Sequence, residues 1–401
     1  MVEVSSTHSR GGLVWPSAIC AALGALGLAL GFMRDPTRTA FAYLVAFALV
    51  ASLCVGALFV LLIGYAINAA WMSVIRRLCE GVAFGALPLA LLFAPLALNL
   101  GRLYAWTNPA PVGLAPEALA ELAHKQAYLN AGGFVARGGA YCVIWAVCVV
   151  VLRRWSRQRE RVAITAANAE ESLSRERVFS SAMLPLVSLA ITFAAFDWLM
   201  SLTPSWFSST FGVYYFAGGF VGAIALLCVL AQRGVSRGTL RDVLTGHHFH
   251  ALGRLVFAFT IFWAYVAYFQ VFLISIADKP NEVTFYLARL HGGWRLLSYA
   301  LIGGHFVLPV LLLFPKRVKF SGAYLAGLSW WLLLMHWLDI YWLVMPVHQP
   351  NSIAPSWLDL AALLAVGGVT TCFCSVAQKG VPLVATGDPL LEAGLRYASN
   401  Q

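Results

Sequence analysis

Charge is scarce in this 401-residue chain: Asp, Glu, Lys and Arg make up 11% of it, while 60% is apolar. Soluble domains carry about 25% charged residues. A chain so poor in charge cannot cover a globular surface with polar groups, and its mean hydropathy of +0.77 makes lipid its main solvent.

Metal-ligand patterns are lacking too. The eight cysteines (Cys20, Cys54, Cys79, Cys142, Cys148, Cys228, Cys372 and Cys374) lie almost entirely in apolar runs and form no C-x-x-C pair or C-x-x-C-H haem motif. They read as small residues that pack helices. Histidines number nine. His291 and His305 stand at a spacing suited to two stacked haems on one helix, but no second helix repeats it, because Pro346 separates His336 from His348. His247, His248 and His250 in GHHFH read as a solvated or partner-facing patch rather than a metal site. The formal charge of +10 would point to nucleic acid in a soluble protein. Here the basic residues sit between apolar runs, a pattern of membrane topology, so no nucleic-acid partner is expected.

About 20 apolar residues cross the hydrocarbon core, and in lipid the backbone must satisfy its own hydrogen bonds, so apolar runs of that length are helices. The chain reads as an all-α integral membrane protein with about ten spans, near 13–33, 40–67, 79–99, 132–152, 180–202, 210–232, 250–276, 292–314, 322–346 and 358–378. The first has a weakly basic flank and a poor cleavage site at Met33-Arg34-Asp35, and is read as a retained helix.

Lys and Arg in the loops set the orientation. If residue 1 faces the cytoplasm, the cytoplasmic segments hold 18 of them, seven in 153–177, and the opposite loops hold six: Arg34, Arg38, Arg102, Lys125, Lys279 and Arg289. Both termini are therefore expected inside. Residues 153–179 form a charged, partly helical segment, and 100–131 the longest outward loop, with Pro109, Pro111 and Pro116. Trp106, Trp198, Trp206, Trp294, Trp342 and Trp357 gather near the outer ends and read as an interfacial aromatic belt.

Two stretches repeat. FDWLMSLTP places Asp197 seven residues before Pro204, and LDIYWLVMP places Asp339 seven before Pro346. The preceding helices carry Arg137 with Tyr141 and Arg295 with Tyr299, at equal spacing. Helices 2–5 and 6–9 are thus expected to be two four-helix bundles of the same direction. The organisation is residues 1–39, the N-terminal segment and first helix; 40–202, the first bundle; 203–346, the second; and 347–401, the tenth helix and tail.

Ionisable side chains inside spans are costly and mark function by default. The candidates are Glu80, Arg137, Asp197, Arg254, Arg295, His305, His336 and Asp339. His336 and Asp339 are three apart, on one helix face, and a carboxylate beside an imidazole makes a proton-accepting pair. Asp197 and Asp339 are each expected to pair with the arginine of their own unit, Arg137 or Arg295. Glu80 and Arg254 lie at cytoplasmic helix ends, where snorkelling accounts for them, with entry to a proton path as the alternative for Glu80. On helix 7, Phe262, Tyr265, Phe269 and Phe272 make an aromatic stripe. A quinone could stack on Tyr265 and Phe269 with Gln270 bonding its carbonyl, although such stripes are more often packing.

HKQAYLNAGGFVARGGAYCVIWAVCVVVLRRWSRQRE, FDWLMSLTPSWFSSTFGVYYFAG, FAFTIFWAYVAYFQVFLI, MHWLDIYWLVMP and GDPLLEAGLRYASNQ, in that order, resemble the second NrfD-like membrane subunit of bacterial alternative complex III, a quinol:cytochrome c oxidoreductase. The resemblance covers most of 120–400. The first hundred residues fit only in helix count and apolar character. It implies ten helices in two bundles, no cofactor bound by this chain, and a sister NrfD-like subunit, an iron–sulfur protein and a multihaem c-type cytochrome as partners that hold the haems and clusters. It also implies the bacterial inner membrane as location and quinol as substrate, with the better-supported quinol site in the sister subunit. Proton transfer then falls on Asp197, His336 and Asp339, with Arg137 and Arg295 nearby. Two other readings compete: a secondary transporter built on parallel repeats, and a structural anchor with no chemistry of its own.

Overall fold

The computed structural model describes residues 12–108, 123–161, 165–277 and 280–399. The expected outward-loop prolines Pro109, Pro111 and Pro116 lie outside them. Among the described residues ten helices are long and apolar enough to span a membrane: α1 (Val14–Arg34), α2 (Pro36–Ala66), α3 (Arg76–Leu98), α4 (Ala131–Arg159), α5 (Ala167–Leu202), α6 (Phe211–Ser236), α7 (Gly246–Ala277), α8 (Trp294–Leu313), α9 (Gly322–His348) and α10 (Trp357–Ala377). No strand forms among the described residues. The protein is an all-α, multi-pass membrane protein.

Helix starts are set by local chemistry. Asp35 accepts from the Arg38 amide, with Pro36 in the first turn of α2. Asn130 accepts from the Gly133 amide 2.7 Å away and caps α4. Ser356 and Asp359 form a reciprocal capping box that opens α10. α4 runs past its apolar stretch to Arg159, and α5 begins well before residue 180, so most of the charged segment between them continues the two helices.

The helices touch both within and between the two expected bundles, with α5 also on α6 and α2 also on α9. α2 packs on α3 and α5, and α4 on α3 and α5; α6 packs on α7 and α9, and α8 on α7 and α9. α2 and α6, the first helix of each unit, form the central pair, while α1 and α10 pack on each other at the side. α2 is apolar all round and buried along nearly its whole length, as a central helix must be. Without water to drive association, membrane helices associate by close backbone approach through small residues. A Cβ on Gly56 would stand 2.5 Å from the Gly219 carbonyl oxygen, so this α2–α6 crossing admits only glycine there. The Tyr215 hydroxyl adds a 2.6 Å bond to the Ala48 carbonyl across the same pair.

The expected aromatic belt is not there. Trp106, Trp198, Trp206 and Trp294 are buried in the protein, Trp342 is half-buried, and Trp357 is the exposed member. Trp198 packs among Phe47, Phe93, Tyr141 and Trp145, and Trp206 stacks on Phe285 with centroids 3.9 Å apart. A tryptophan near a helix end reads as interfacial in sequence, but whether it faces lipid or core depends on helix rotation.

Beyond α10 the tail folds back across the end that carries the basic loops. Asp388 pairs with Arg76 at the start of α3, and His248 Nε2 lies 3.0 Å from the Gly394 carbonyl. The GHHFH histidines thus have separate partners: Ser399 for His247, Gly394 for His248 and the Phe320 ring for His250. Among the described residues no three His, Cys, Asp or Glu side chains converge on a point.

Candidate functional site

A buried polar constellation without an ion pair among the described residues lies where α6, α8 and α9 meet α2. His336 and Asp339 project from one face of α9, as their spacing predicts, and both are buried. They do not bond to each other. The Tyr214 hydroxyl on α6 donates to Asp339 Oδ1. His336 Nε2 lies 2.8 Å from Ser52 Oγ, halfway along α2. Ser52 donates its own hydrogen to the Leu49 carbonyl at 2.7 Å, which assigns the ring hydrogen to Nε2 and leaves Nδ1 as a free acceptor.

Space for this arrangement comes from glycines in the α6 sequence GVYYFAGGFVG. A Cβ on Gly218 would stand 3.1 Å from His336 Nδ1 and 3.5 Å from Asp339 Oδ2, and one on Gly222 3.0 Å from His336 Cδ2. His336 Nδ1 and Asp339 Oδ2 therefore both lie against the same point of α6.

His305 completes the group. Its ring lies tilted against Trp263 of α7, with centroids 4.0 Å apart, and 6.5 Å from the His336 ring, and neither ring nitrogen has a hydrogen-bond partner among the described residues. It lies in a π-helical turn, Ile302–Val307, within α8. The cause is Pro309, which has no N–H for the His305 carbonyl four residues back. Trp331 fills part of the disturbed ladder by donating to the Gly304 carbonyl at 2.8 Å. Such bulges recur at functional sites.

Asp197 and Arg137 form the ion pair the sequence anticipates. The guanidinium meets both carboxylate oxygens, at 2.9 and 2.8 Å, and Tyr141 donates to the same carboxylate at 2.7 Å. The Tyr128 ring lies 3.8 Å from the guanidinium carbon.

The matching pair in the second unit does not form. Arg295 and Tyr299 are exposed, because α8 is rotated so that Trp294, Leu297 and Ser298 face inward. The buried cation near this end is Arg289, in the helix Pro280–Leu290. Pro346 cannot donate to the Trp342 carbonyl, and Arg289 Nε does so instead, at 3.1 Å, with a second bond of 2.8 Å from Nη2 to Leu343. Burial lowers the Arg289 pKa to about 9, against the opposing pull of Tyr286 and Tyr214, so the guanidinium is charged at neutral pH.

Glu80 does not snorkel. It is buried, takes a 2.6 Å bond from Ser156 and pairs with Arg77 at 2.5 Å; Arg77 also binds Glu160, and Arg159 pairs with Glu176 at 2.8 Å. Arg254 is exposed, as snorkelling expects. Of the aromatic stripe, Tyr265 is exposed and stacks on half-buried Phe269, while Gln270 is buried on the inward side of α7. The three do not share a face.

Tyr214, Ser52, Trp263 and Arg289 were not legible as site residues. The one signal for Tyr214 and the packing around His336 was the glycine-rich run after it. Sequence comparison finds no matching family model and no matching curated protein.

Proposed function

We propose that the protein is an integral membrane subunit of a respiratory quinol-oxidising complex of the alternative complex III type, and that it moves protons through its second bundle. The observation that carries this reading is the buried group Tyr214–Asp339, His336–Ser52 and His305 at the junction of the two bundles. It joins a proton donor and acceptors from four helices in a region where a fixed charge would be costly. His336 offers Nδ1, Asp339 offers Oδ2, and the π-turn holds His305 within one further step. Asp197, locked to Arg137 and Tyr141, is assigned to holding α4 on α5. In this reading both termini face the cytoplasm of a bacterial inner membrane. Quinol is oxidised in the sister subunit, and the iron–sulfur protein and multihaem cytochrome carry the electrons.

The test is purification of the native assembly followed by Asp339→Asn. Co-purification with a multihaem cytochrome and an iron–sulfur protein, with coupled proton movement falling at least tenfold in the variant, is the expected result. A lone colourless protein removes the complex from the reading. An intact complex whose proton movement ignores Asp339→Asn reduces the chain to an anchor.

A further inference from the structure

The two bundles treat their basic ends differently. On the first, three cations are matched by carboxylates, Arg76 with Asp388, Arg77 with Glu80 and Glu160, and Arg159 with Glu176, while buried Arg153 donates to the Ala377 carbonyl and lies over the Phe84 ring. On the second, Arg254, Lys316, Arg317 and Lys319 gather between the start of α7 and the Lys316–Phe320 turn, and among the described residues none of them has an ion pair.

This cluster is built, not loose. Phe320 stacks on His250 with centroids 4.4 Å apart, which fixes the turn on α7. The Lys319 stem lies on Gly253, where a Cβ would stand 3.1 Å from Lys319 Cβ, and its ammonium lies 4.6 Å from the Phe257 ring. Lys319 is 7% exposed. Burial lowers its pKa, and the like charge of Arg254 lowers it further. The neighbouring His250 Nδ1 is buried without a partner, and the charges around that ring, from Arg254, Lys316, Lys319 and His247, are all basic. A half-sequestered cation with no carboxylate lacks its counter-ion.

The surface beside it says what supplies one. Ile261 lies seven residues after Arg254 on the same face of α7 and is exposed, as are Leu311 and Phe314 at the adjoining end of α8. A basic cluster at the ends of two spans, with exposed apolar residues further along the same helices, matches a molecule with an anionic head and acyl chains. We propose that an anionic phospholipid docks here, its phosphate held by Lys319, Arg254 and Lys316 and its chains lying along Ile261, Leu311 and Phe314. This inference stands independently of the proton-transfer reading.

Native mass spectrometry of the full chain in detergent, titrated with phosphatidylglycerol, phosphatidylcholine or inorganic phosphate, tests it. Phosphatidylglycerol is expected to bind at least tenfold more tightly than phosphatidylcholine, and inorganic phosphate alone to give no comparable adduct. Each lost cation is expected to weaken the anionic lipid about fivefold, so Arg254→Gln loses about fivefold and Arg254→Gln with Lys319→Gln about twenty-five-fold. Arg254→Lys with Lys319→Arg restores binding to within about threefold. Arg254 is exposed, so its single variant reads out binding without disturbing packing. Equal binding of the two lipids, unchanged affinity in Arg254→Gln, or phosphate binding as tightly as lipid each overturns the proposal.

Discussion

Removing the arginine side chain at positions 137 and 295 separates the repeat as sequence from the repeat as structure. The repeat makes the two residues equivalent; the structure makes one a partner and the other a surface group. Arg137 meets both oxygens of Asp197, and that carboxylate is 0% exposed. Deleting one member of a buried pair costs about 3–5 kcal/mol, because the other charge is left unpaired. Two features reduce this: the Arg137 side chain is 24% exposed, and the Tyr141 bond survives. Arg137→Ala is therefore expected to cost about 2–3 kcal/mol. In a chain of this size about 1–2 °C of thermal midpoint corresponds to each kcal/mol, so the midpoint falls about 3–5 °C. Arg295→Ala, exposed and unpaired, stays within about 0.5 kcal/mol of the parent, or under about 1 °C. Intrinsic tryptophan fluorescence on heating in detergent or nanodiscs measures both. Adding Asp197→Asn to Arg137→Ala removes the orphaned charge and is expected to recover part of the loss, the coupling that marks a direct contact. Equal losses at 137 and 295, or no recovery in the double variant, would refute the reasoning.

Two further perturbations test other parts of the fold. Asp388→Asn leaves Arg76 buried beside Tyr65 without its carboxylate, and is expected to cost about 3 kcal/mol and to expose the tail to limited proteolysis between residues 386 and 399; an unchanged digestion pattern would show that the tail is held by other means. Gly218→Val drives a branched side chain against His336 and Asp339 and is expected to lower the thermal midpoint by about 1–3 kcal/mol equivalent, whereas Gly303→Ala, with open space beside it, is expected to be neutral, as the same unfolding scan would show.

The fold was legible because lipid imposes one rule on every span. Length and hydropathy placed ten helices, and the position of Asp339 three residues after His336 put both on one face. Rotation was not legible. Nothing in Arg295–Tyr299 distinguishes it from Arg137–Tyr141, yet α8 turns one pair outward while α4 turns the other onto Asp197. The same ignorance of rotation placed Trp198 and Trp206 in a belt and set Gln270 beside Tyr265. Long-range partners were equally hidden. Ser52 is one small residue in an apolar helix, and it meets His336 only because the α2–α6 crossing at Gly56 and Gly219 brings α2 close to α9.

The loss of symmetry bears on which acid can do chemistry. Asp197 has a guanidinium held against it by two bonds, so its charge is neutralised in place and moving a proton there would break the pair. Asp339 takes the Tyr214 phenol, has the Trp263 indole beside it and lies against Gly218, with no ion pair among the described residues. No guanidinium holds its charge in place, and His336 Nδ1, an acceptor without a partner among the described residues, lies against the same glycine. Had Arg295 turned inward onto Asp339, this acid would sit in a second structural ion pair and would not be free to exchange. The departure of the second unit from the first is thus what makes a relay at Asp339 chemically open.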